Sequence, residues 1–381
     1  MSNPTLQKNA GAVRRFARLM RFANWLQNIP NKITPPPFRL VQISSSFWQS
    51  RALYVAVRLD IATALADRQL SASELASLVG ASADAIGRLL RMLAAMGIFE
   101  ETAPGIFRNN RLSAPLRQDD PQCIRAMILM HNSEQMTRPW FEELESAVRS
   151  GEVAFQRSYG LELFDYMDQH PDFDDLFSRA MDSVEALAGD VFAQDFNWSH
   201  FTRLIDVGGS QGSKSLAILK RHPTLKALVV DREQVVRDAA QFWQGREDAE
   251  LLKRISFETG DLFGELPPAQ GPGDVYLLSA VLHCFDDELC VAGLRNLAAI
   301  CGQTGACIAV LEIVLPEQGA DLASASFDMQ MFIGTRGRER TLAQWLALFE
   351  RSGLALETNV GLQTFARILV ARPVGRGRLF Q

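Results

Sequence analysis

The sequence predicts an α/β fold with a mainly helical domain in front of it. Three observations lead there. The first is Arg203–Lys214, RLIDVGGSQGSK, where Leu204, Ile205 and Val207 form an apolar run of strand type. Two glycines follow, and Gly212 then opens the helix-like run SLAILKRHP. A buried strand that turns sharply into a helix needs residues without a Cβ at the turn. The second is a pair of further apolar runs, Leu225–Val230 and Ile255–Glu258, which end at Asp231 and at Gly260-Asp261. The third is the stretch LSASELASLVGASADAIGRLLRMLAAMGIFEE, in which two short helical patterns lead into a hairpin.

At 381 residues the chain has room for two cores. Three segments are expected: a basic arm over 1–37, a helical domain over 38–190 and the α/β domain over 191–381. Met1–Leu59 contains no acid. Arg14, Arg15, Arg18 and Arg21 instead share a helical run with Phe16, Leu19, Met20, Phe22 and Trp25. Such a run is compatible with a transit peptide or a membrane-surface helix. We read it in preference as an arm that packs on a partner subunit. Pro35-Pro36-Pro37 is expected to break the helix and separate the arm from the helical domain.

From Gln42 to Leu65 the apolar positions recur at helical spacing. Ser71 and Glu74 form a capping-box start, Gly80 ends that helix, and Ser82 or Asp84 begins the next. Gly97-Ile98-Phe99 enters a hairpin whose tip holds Pro104-Gly105, giving a winged helix. Its second helix would offer Ala83, Asp84, Ala85 and Ile86, which carry no donors for bases or phosphates. A DNA-binding regulator is therefore only a distant alternative. From Ala126 to Ala188 the chain is again helical and rich in aromatics, most of them core.

Beyond Phe196 strands are expected at Val275–Leu278, Ala306–Leu311, Leu354–Asn359 and Ala366–Ala371, with helices at Asp287–Ala299 and Thr341–Ser352. The last two strands lie close enough for an antiparallel hairpin at a sheet edge. A glycine turn after the first strand leaves backbone N–H groups aimed above the sheet's carboxyl ends, where ligands of open α/β sheets bind. Asp231, at the end of the next strand, suits a pair of ribose hydroxyls, although it could also cap the adjoining helix. The spacing Asp206-x-Gly208-Gly209-x-x-Gly212 is not the dinucleotide pattern, and no phosphate-loop signature is present.

With Asp231 and Gly260-Asp261, that spacing resembles the S-adenosylmethionine-dependent methyltransferases. The nearer resemblance, from about Gln42 to Pro373, is to the small-molecule O-methyltransferases, which include plant caffeate-type, acetylserotonin and bacterial phenazine, anthracycline and mitomycin enzymes. It implies a Rossmann-like class I methyltransferase sheet with helices on both faces, preceded by a winged-helix dimerisation domain. It also implies a cofactor site for S-adenosylmethionine made by Asp206, Gly208, Gly209, Gly212, Asp231 and Ser279, with Asp261 and Leu262 near the adenine. The family has His-Asp-Trp where this chain has His283-Cys284-Phe285, so the general base is kept and the acid beside it is not. Plant members often have Lys where Ser279 stands.

Glu312 in VLEIVLP and Glu339 in GRERT match the family's two glutamates that flank the histidine. By itself Glu339 could also pair with Arg336, Arg338 or Arg340 on a solvated face, a less favoured alternative. A histidine of pKa about 6.5 can take a phenol proton near neutrality, and a carboxylate on its other nitrogen fixes the tautomer. Asp328, Met331 and Phe332, with Met329, match the helix that lines the family's acceptor pocket, and an ordinary core helix is the alternative. Met130, His131, Trp140 and Phe164, with Met127 and Met181, are the candidates for the pocket's other wall.

The reading is an enzyme that methylates a hydroxyl of an aromatic secondary metabolite such as a phenazine or polyketide, as a homodimer. An N-methyltransferase or a relative that binds S-adenosylmethionine but runs a non-methylating reaction is the alternative. A net charge of −5 argues against bulk nucleic-acid affinity. No apolar run approaches the roughly 18 residues of a membrane span. Five cysteines without a CxxC pair suit a reducing cytoplasm and give no structural metal set.

Overall fold

A computed structural model describes residues 6–375. The chain divides into two compact units, Met1–Asn24 with Asp190–Gln381, and Trp25–Gly189.

The unit Trp25–Gly189 is helical apart from one small sheet. Helices run over Pro36–Ser44, Ser46–Arg58 and Ile61–Leu65. A short helix, Ile29–Ile33, ends just before the proline triplet, which therefore starts a helix as well as following the end of one. Proline fits the first turn because its missing N–H would have no partner there. The pattern over Gln42–Leu65 is also broken, since Asp60 takes a left-handed conformation (φ 54°) between two helices. Strand β1 is Gln69–Ser71, and the helix Ala72–Val79 opens on a full capping box in which Glu74 accepts from the Ser71 N–H at 2.8 Å. Gly80 closes it in the left-handed region, and Ser82 begins Ala83–Ala95. Strands β2 (Phe99–Ala103) and β3 (Ile106–Asn109) form the hairpin, and β1 adds to it in the antiparallel order β1-β3-β2. Leu65, Leu75, Leu90, Leu93 and Phe99 fill the winged helix's core. Further helices, Arg125–His131 through Pro171–Ala188, bury Met130, Met136, Phe155, Tyr166 and Phe173 together.

The other unit is built on one mixed sheet. Its strands are β4 (Arg203–Val207), β5 (Lys226–Asp231), β6 (Ile255–Thr259), β7 (Asp274–Ser279), β8 (Cys307–Leu315), β9 (Arg340–Thr341), β10 (Leu354–Gly361) and β11 (Ala366–Pro373). The order is β10-β11-β8-β7-β4-β5-β6, with β9 beside β8. Strands β4 to β8 are parallel, and β10 and β11 are antiparallel additions at one edge. Helices on both faces explain why the strands read as continuous apolar runs. Leu204 and Ile218 belong to the core on one face, and Ile205, Val207, Leu294 and Trp345 to the core on the other. The chain order reverses at β4, which pairs with both β5 and β7 and so opens a crevice above their carboxyl ends.

Strand β8 continues four residues beyond the Leu311 expected as its end. Glu312 consequently lies inside the strand and not after it. The arm's beginning is tied to this same unit. Leu6 is buried, Gln7 bridges Phe196, and the Gln7 side chain exchanges hydrogen bonds with both backbone groups of Gly361 at 3.1 Å. Asn9 donates to the buried Asp195 carboxylate at 3.0 Å.

Candidate active site

The turn after β4 is shaped by residues in the left-handed region, Gly208 (φ 74°), Ser210 (φ 51°) and Gly212 (φ 84°). At Gly208 a Cβ would lie 2.7 Å from Val281 Cγ2, and at Gly212 it would lie 2.9 Å from Val229. Only glycine meets both demands there. Gly209 passes directly over the Asp206 carboxyl group. Asp206 is buried and accepts from Ser215 Oγ at 2.7 Å, which ties β4 to the helix Ser213–Arg221.

Asp231 ends β5 beside this turn. Its carboxylate accepts from the Ser210 N–H at 2.8 Å and from the Arg232 N–H at 2.7 Å. The capping position of the next helix belongs to Arg232, so Asp231 is not the cap. Asp261 is exposed in the turn after β6 and accepts from the Phe263 N–H at 3.0 Å. Leu262 is buried among the residues packed beneath the sheet, close to Gly293. Ser279 ends β7, and its Oγ is buried with no hydrogen-bond partner. An unmatched buried hydroxyl is costly, so it marks a place built to meet a polar group. The donor set fits S-adenosylmethionine on these grounds. A carboxylate stands at the end of β5 for ribose hydroxyls, the glycines let the turn pack closely against β4 and β5, and an unpaired hydroxyl lies at the end of β7.

His283 sits in the single 3-10 turn Leu282–Cys284 just beyond β7. Ala280, at φ 54°, redirects the chain into that turn. The N–H groups of Val281, Leu282 and His283 all donate to Glu312 Oε1, at 3.1, 3.0 and 3.4 Å. His283 Nδ1 lies 2.8 Å from Glu339 Oε1 and 3.5 Å from Glu312 Oε2. All three residues are buried, and Glu339 points at the histidine instead of joining its neighbouring arginines on the surface. Burial alone would lower the imidazole's pKa, but the Glu312 charge, together with Cys284 and the Glu339 hydrogen bond, outweighs it and holds His283 well above its ordinary value. Burial pushes the Glu312 carboxyl upward, and the nearby imidazolium offsets part of that. One ligand atom from each of the three lies within 4.8 Å of the others, close enough for a cation. Three backbone donors already engage Glu312 Oε1, however, and Nδ1 is turned to Glu339, so the set reads as a hydrogen-bonded acid–base group.

Asp328 lies on the helix Leu322–Gly334, and its Oδ1 accepts from the Glu339 N–H at 2.8 Å. Met331 and Phe332 are half-buried on that helix, and Phe327 brings its ring centroid within 6.0 Å of the His283 ring. In the helical unit Met130 is part of the core, Trp140 is half-buried, and His131 and Phe164 are exposed. Arg340 escaped the sequence reading except as a partner for Glu339. It is fully buried and bonds the turn that carries His283. Its only signal was its place next to Glu339.

A family model described as the O-methyltransferase domain matches residues 141–355, and one for the O-methyltransferase dimerisation domain matches residues 41–119. The chain is 33% identical over 335 residues to a phenazine O-methyltransferase of Lysobacter antibioticus, covering 88% of this chain and 96% of that one. It is 30% identical over 336 residues to a phenazine-1-carboxylate N-methyltransferase of Pseudomonas aeruginosa, covering 87% and 96%. Among solved structures, an O-methyltransferase from neocarzinostatin biosynthesis, in complex with S-adenosylmethionine and 2-hydroxy-5-methyl naphthoic acid, superposes with a TM-score of 0.72. That match has 29% identity and covers 86% of this chain and 96% of that one.

Proposed function

The chain belongs to the O-methyltransferase family and uses S-adenosylmethionine, and on that premise we propose that it methylates a hydroxyl of an aromatic secondary metabolite, with His283 as the base. The observation that carries this reading is the 2.8 Å contact of Glu339 with His283 Nδ1. It commits one ring nitrogen to a carboxylate and leaves Nε2 for the acceptor's proton. S-adenosylmethionine supplies an electrophilic methyl group already activated by its sulfonium. The residues then have two tasks, to place the acceptor oxygen and to take its proton. Glu312 supports the second by stabilising the imidazolium that forms, while its other oxygen fixes the backbone of the turn. Asp231, the glycine turn and Ser279 are assigned to the cofactor, and Asp328, Met331 and Phe332 to the acceptor side. Methionine adapts its shape to flat rings, which suits an aromatic acceptor.

Homodimerisation through the N-terminal domain belongs to the same proposal. Phe38, Leu40, Val41 and Trp48 are about three-fifths or more exposed in a single chain, more apolar surface than a monomer keeps bare. At the start of the winged helix's second helix, Asp84 pairs with Arg88 at 2.9 Å, which favours a dimerisation module over a DNA reader.

The test is incubation with radiolabelled S-adenosylmethionine and a panel of acceptors, including a hydroxyphenazine, 3-amino-4-hydroxybenzoate and a hydroxynaphthoate. Label should appear on an oxygen of one of them. Losing a general base costs about 10² to 10⁴ in rate, so His283→Ala should fall by that order and still bind S-adenosylhomocysteine. Wild-type turnover in that variant would overturn the base, and methylation on nitrogen would move the chain toward its N-methylating relative.

A further inference from the structure

Arg340 is fully buried, yet its main carboxylate partner, Asp287, is 40% exposed. A charge taken out of water for one half-solvated partner is poor stability design, so its position calls for another reason. Every nitrogen of its guanidinium is used. Nε and Nη2 donate to Asp287 Oδ1 at 3.0 and 2.8 Å. Nη1 donates to the Leu282 carbonyl at 3.1 Å, and Nη2 to the Phe285 carbonyl at 2.8 Å. Those two carbonyls bracket His283 and Cys284. The guanidinium carbon also lies 5.4 Å from the centre of the Trp345 ring, within reach of a cation–π contact.

Arg340 directly succeeds Glu339 in the chain, so its reach to Leu282 and Phe285 joins the loop that carries one partner to the turn that carries the other. Gly337 completes the seat. A Cβ there would lie far inside contact distance of the His283 carbonyl oxygen, so backbone rests on backbone. The far side of the loop is held by Asp328 through the Glu339 N–H.

We propose that Arg340, seated against Gly337, is a positioning residue that locks the loop bearing Glu339 onto the turn bearing His283 and so sets the contact between the two side chains. The proposal rests on the reading of His283 as the base. Arginine suits the task because its planar fork can bond two carbonyls and a carboxylate at once, whereas lysine is a point charge on a flexible stem. A displacement of about 1 Å in a catalytic group costs on the order of a hundredfold.

The experiment uses the full chain with Arg340→Lys, which keeps the charge, and Gly337→Ala, which changes none. Melting curves and calorimetry with S-adenosylhomocysteine establish that each variant is folded, and binding should stay within about twofold because neither change touches Asp231 or the glycine turn. The imidazole nitrogens of His283 are titrated by NMR in ¹⁵N-histidine-labelled protein, with His283→Gln for assignment. The titratable groups that face His283 are Glu312 on β8, Glu339 on the loop and Cys284 in its own turn. None of them is altered, so a looser contact with Glu339 should lower the His283 midpoint. Turnover with the best acceptor of the panel should fall about 10- to 100-fold.

If one variant fails to fold, the other decides. A folded variant whose His283 titrates as in the wild type overturns the proposal, even if turnover has dropped. A wild-type rate for His283→Ala would instead overturn the base, and the titration would still report whether the clamp exists.

Discussion

Replacing Glu339 by Gln tests the electrostatics of the base most directly. The two side chains are nearly isosteric, so the change removes a charge and keeps the shape. Glu339 is 3% exposed and His283 8%, so solvent screens their interaction little. A buried hydrogen bond to a charged group contributes about 1.5 to 3 kcal/mol. Removing it should therefore lower the His283 pKa. The base works only when neutral. With its pKa raised in the folded protein, turnover in the wild type should climb as pH rises through that raised value, on the alkaline side of the ordinary 6.5. In Glu339→Gln the whole acid limb should move to lower pH, while the plateau falls because the weaker base drives proton transfer less and the tautomer is no longer fixed. The assay is initial methyl transfer to a single acceptor across mildly acidic to alkaline buffers at saturating cofactor. An acid limb that stays in place or moves to higher pH would refute the reasoning, because either result means that Glu339 does not favour the protonated ring.

Three further perturbations separate binding, fold and assembly. Asp231→Ala should weaken S-adenosylhomocysteine binding about 10- to 100-fold by calorimetry, as expected for the loss of charged hydrogen bonds to a ribose; unchanged affinity would reduce Asp231 to a tie for the Ser210 N–H. Gly208→Ala should lower stability by about 1 to 3 kcal/mol in a thermal melt, since the new Cβ lies 2.7 Å from Val281 and the φ is left-handed; a neutral effect would mean that the turn relaxes freely. Phe38→Asp combined with Trp48→Asp should turn a dimer into a monomer by light scattering, and a dimer that survives would move the interface elsewhere.

Much of this was legible in the sequence because it depends on short-range chemistry. The capping box at Ser71–Glu74, the glycine stop at Gly80 and the strand-to-helix turn at Gly208–Gly212 are each fixed by a few adjacent residues, and all appear where their chemistry puts them. Features set by distant partners were harder to read. Strand β8 runs past Glu312 because β11 pairs with it through Ile313 and β9 through Val314 and Leu315, and no local pattern announces those neighbours. The proline triplet has one local meaning as a breaker and another as a helix start, and the chain uses both. Glu339 sits in an arginine-rich stretch, and only the family resemblance, not its neighbours, pointed it at His283. Its direction toward His283 comes from the backbone ties of Arg340 and Asp328, which join residues more than 50 and about 10 positions apart.

The acid–base group also explains why two carboxylates can be kept inside a protein at all. Each buried carboxylate alone would carry a penalty of several kcal/mol, and two together repel. Glu312 offsets its share with three backbone N–H donors from the turn after β7, the partial positive charges that an anion needs. With that oxygen satisfied, Glu312 Oε2 and Glu339 Oε1 both face His283 Nδ1. Replacing the imidazole by a neutral side chain would remove the positive charge that holds down the Glu312 carboxyl, so Glu312 should take up a proton more readily as the ring is lost. The same charge that holds the ring in place makes it hold its proton more tightly. A base built in this way is well oriented and strongly basic but scarce in its neutral form near pH 7. It suits an acceptor whose own proton is not very acidic, because only a stronger base can remove it. Had the ring been left exposed, with its pKa near 6.5, it would be neutral more often and less able to take that proton. The burial of His283 between Glu312 and Glu339 therefore ties the cost in stability and the demand of the chemistry to the same three side chains.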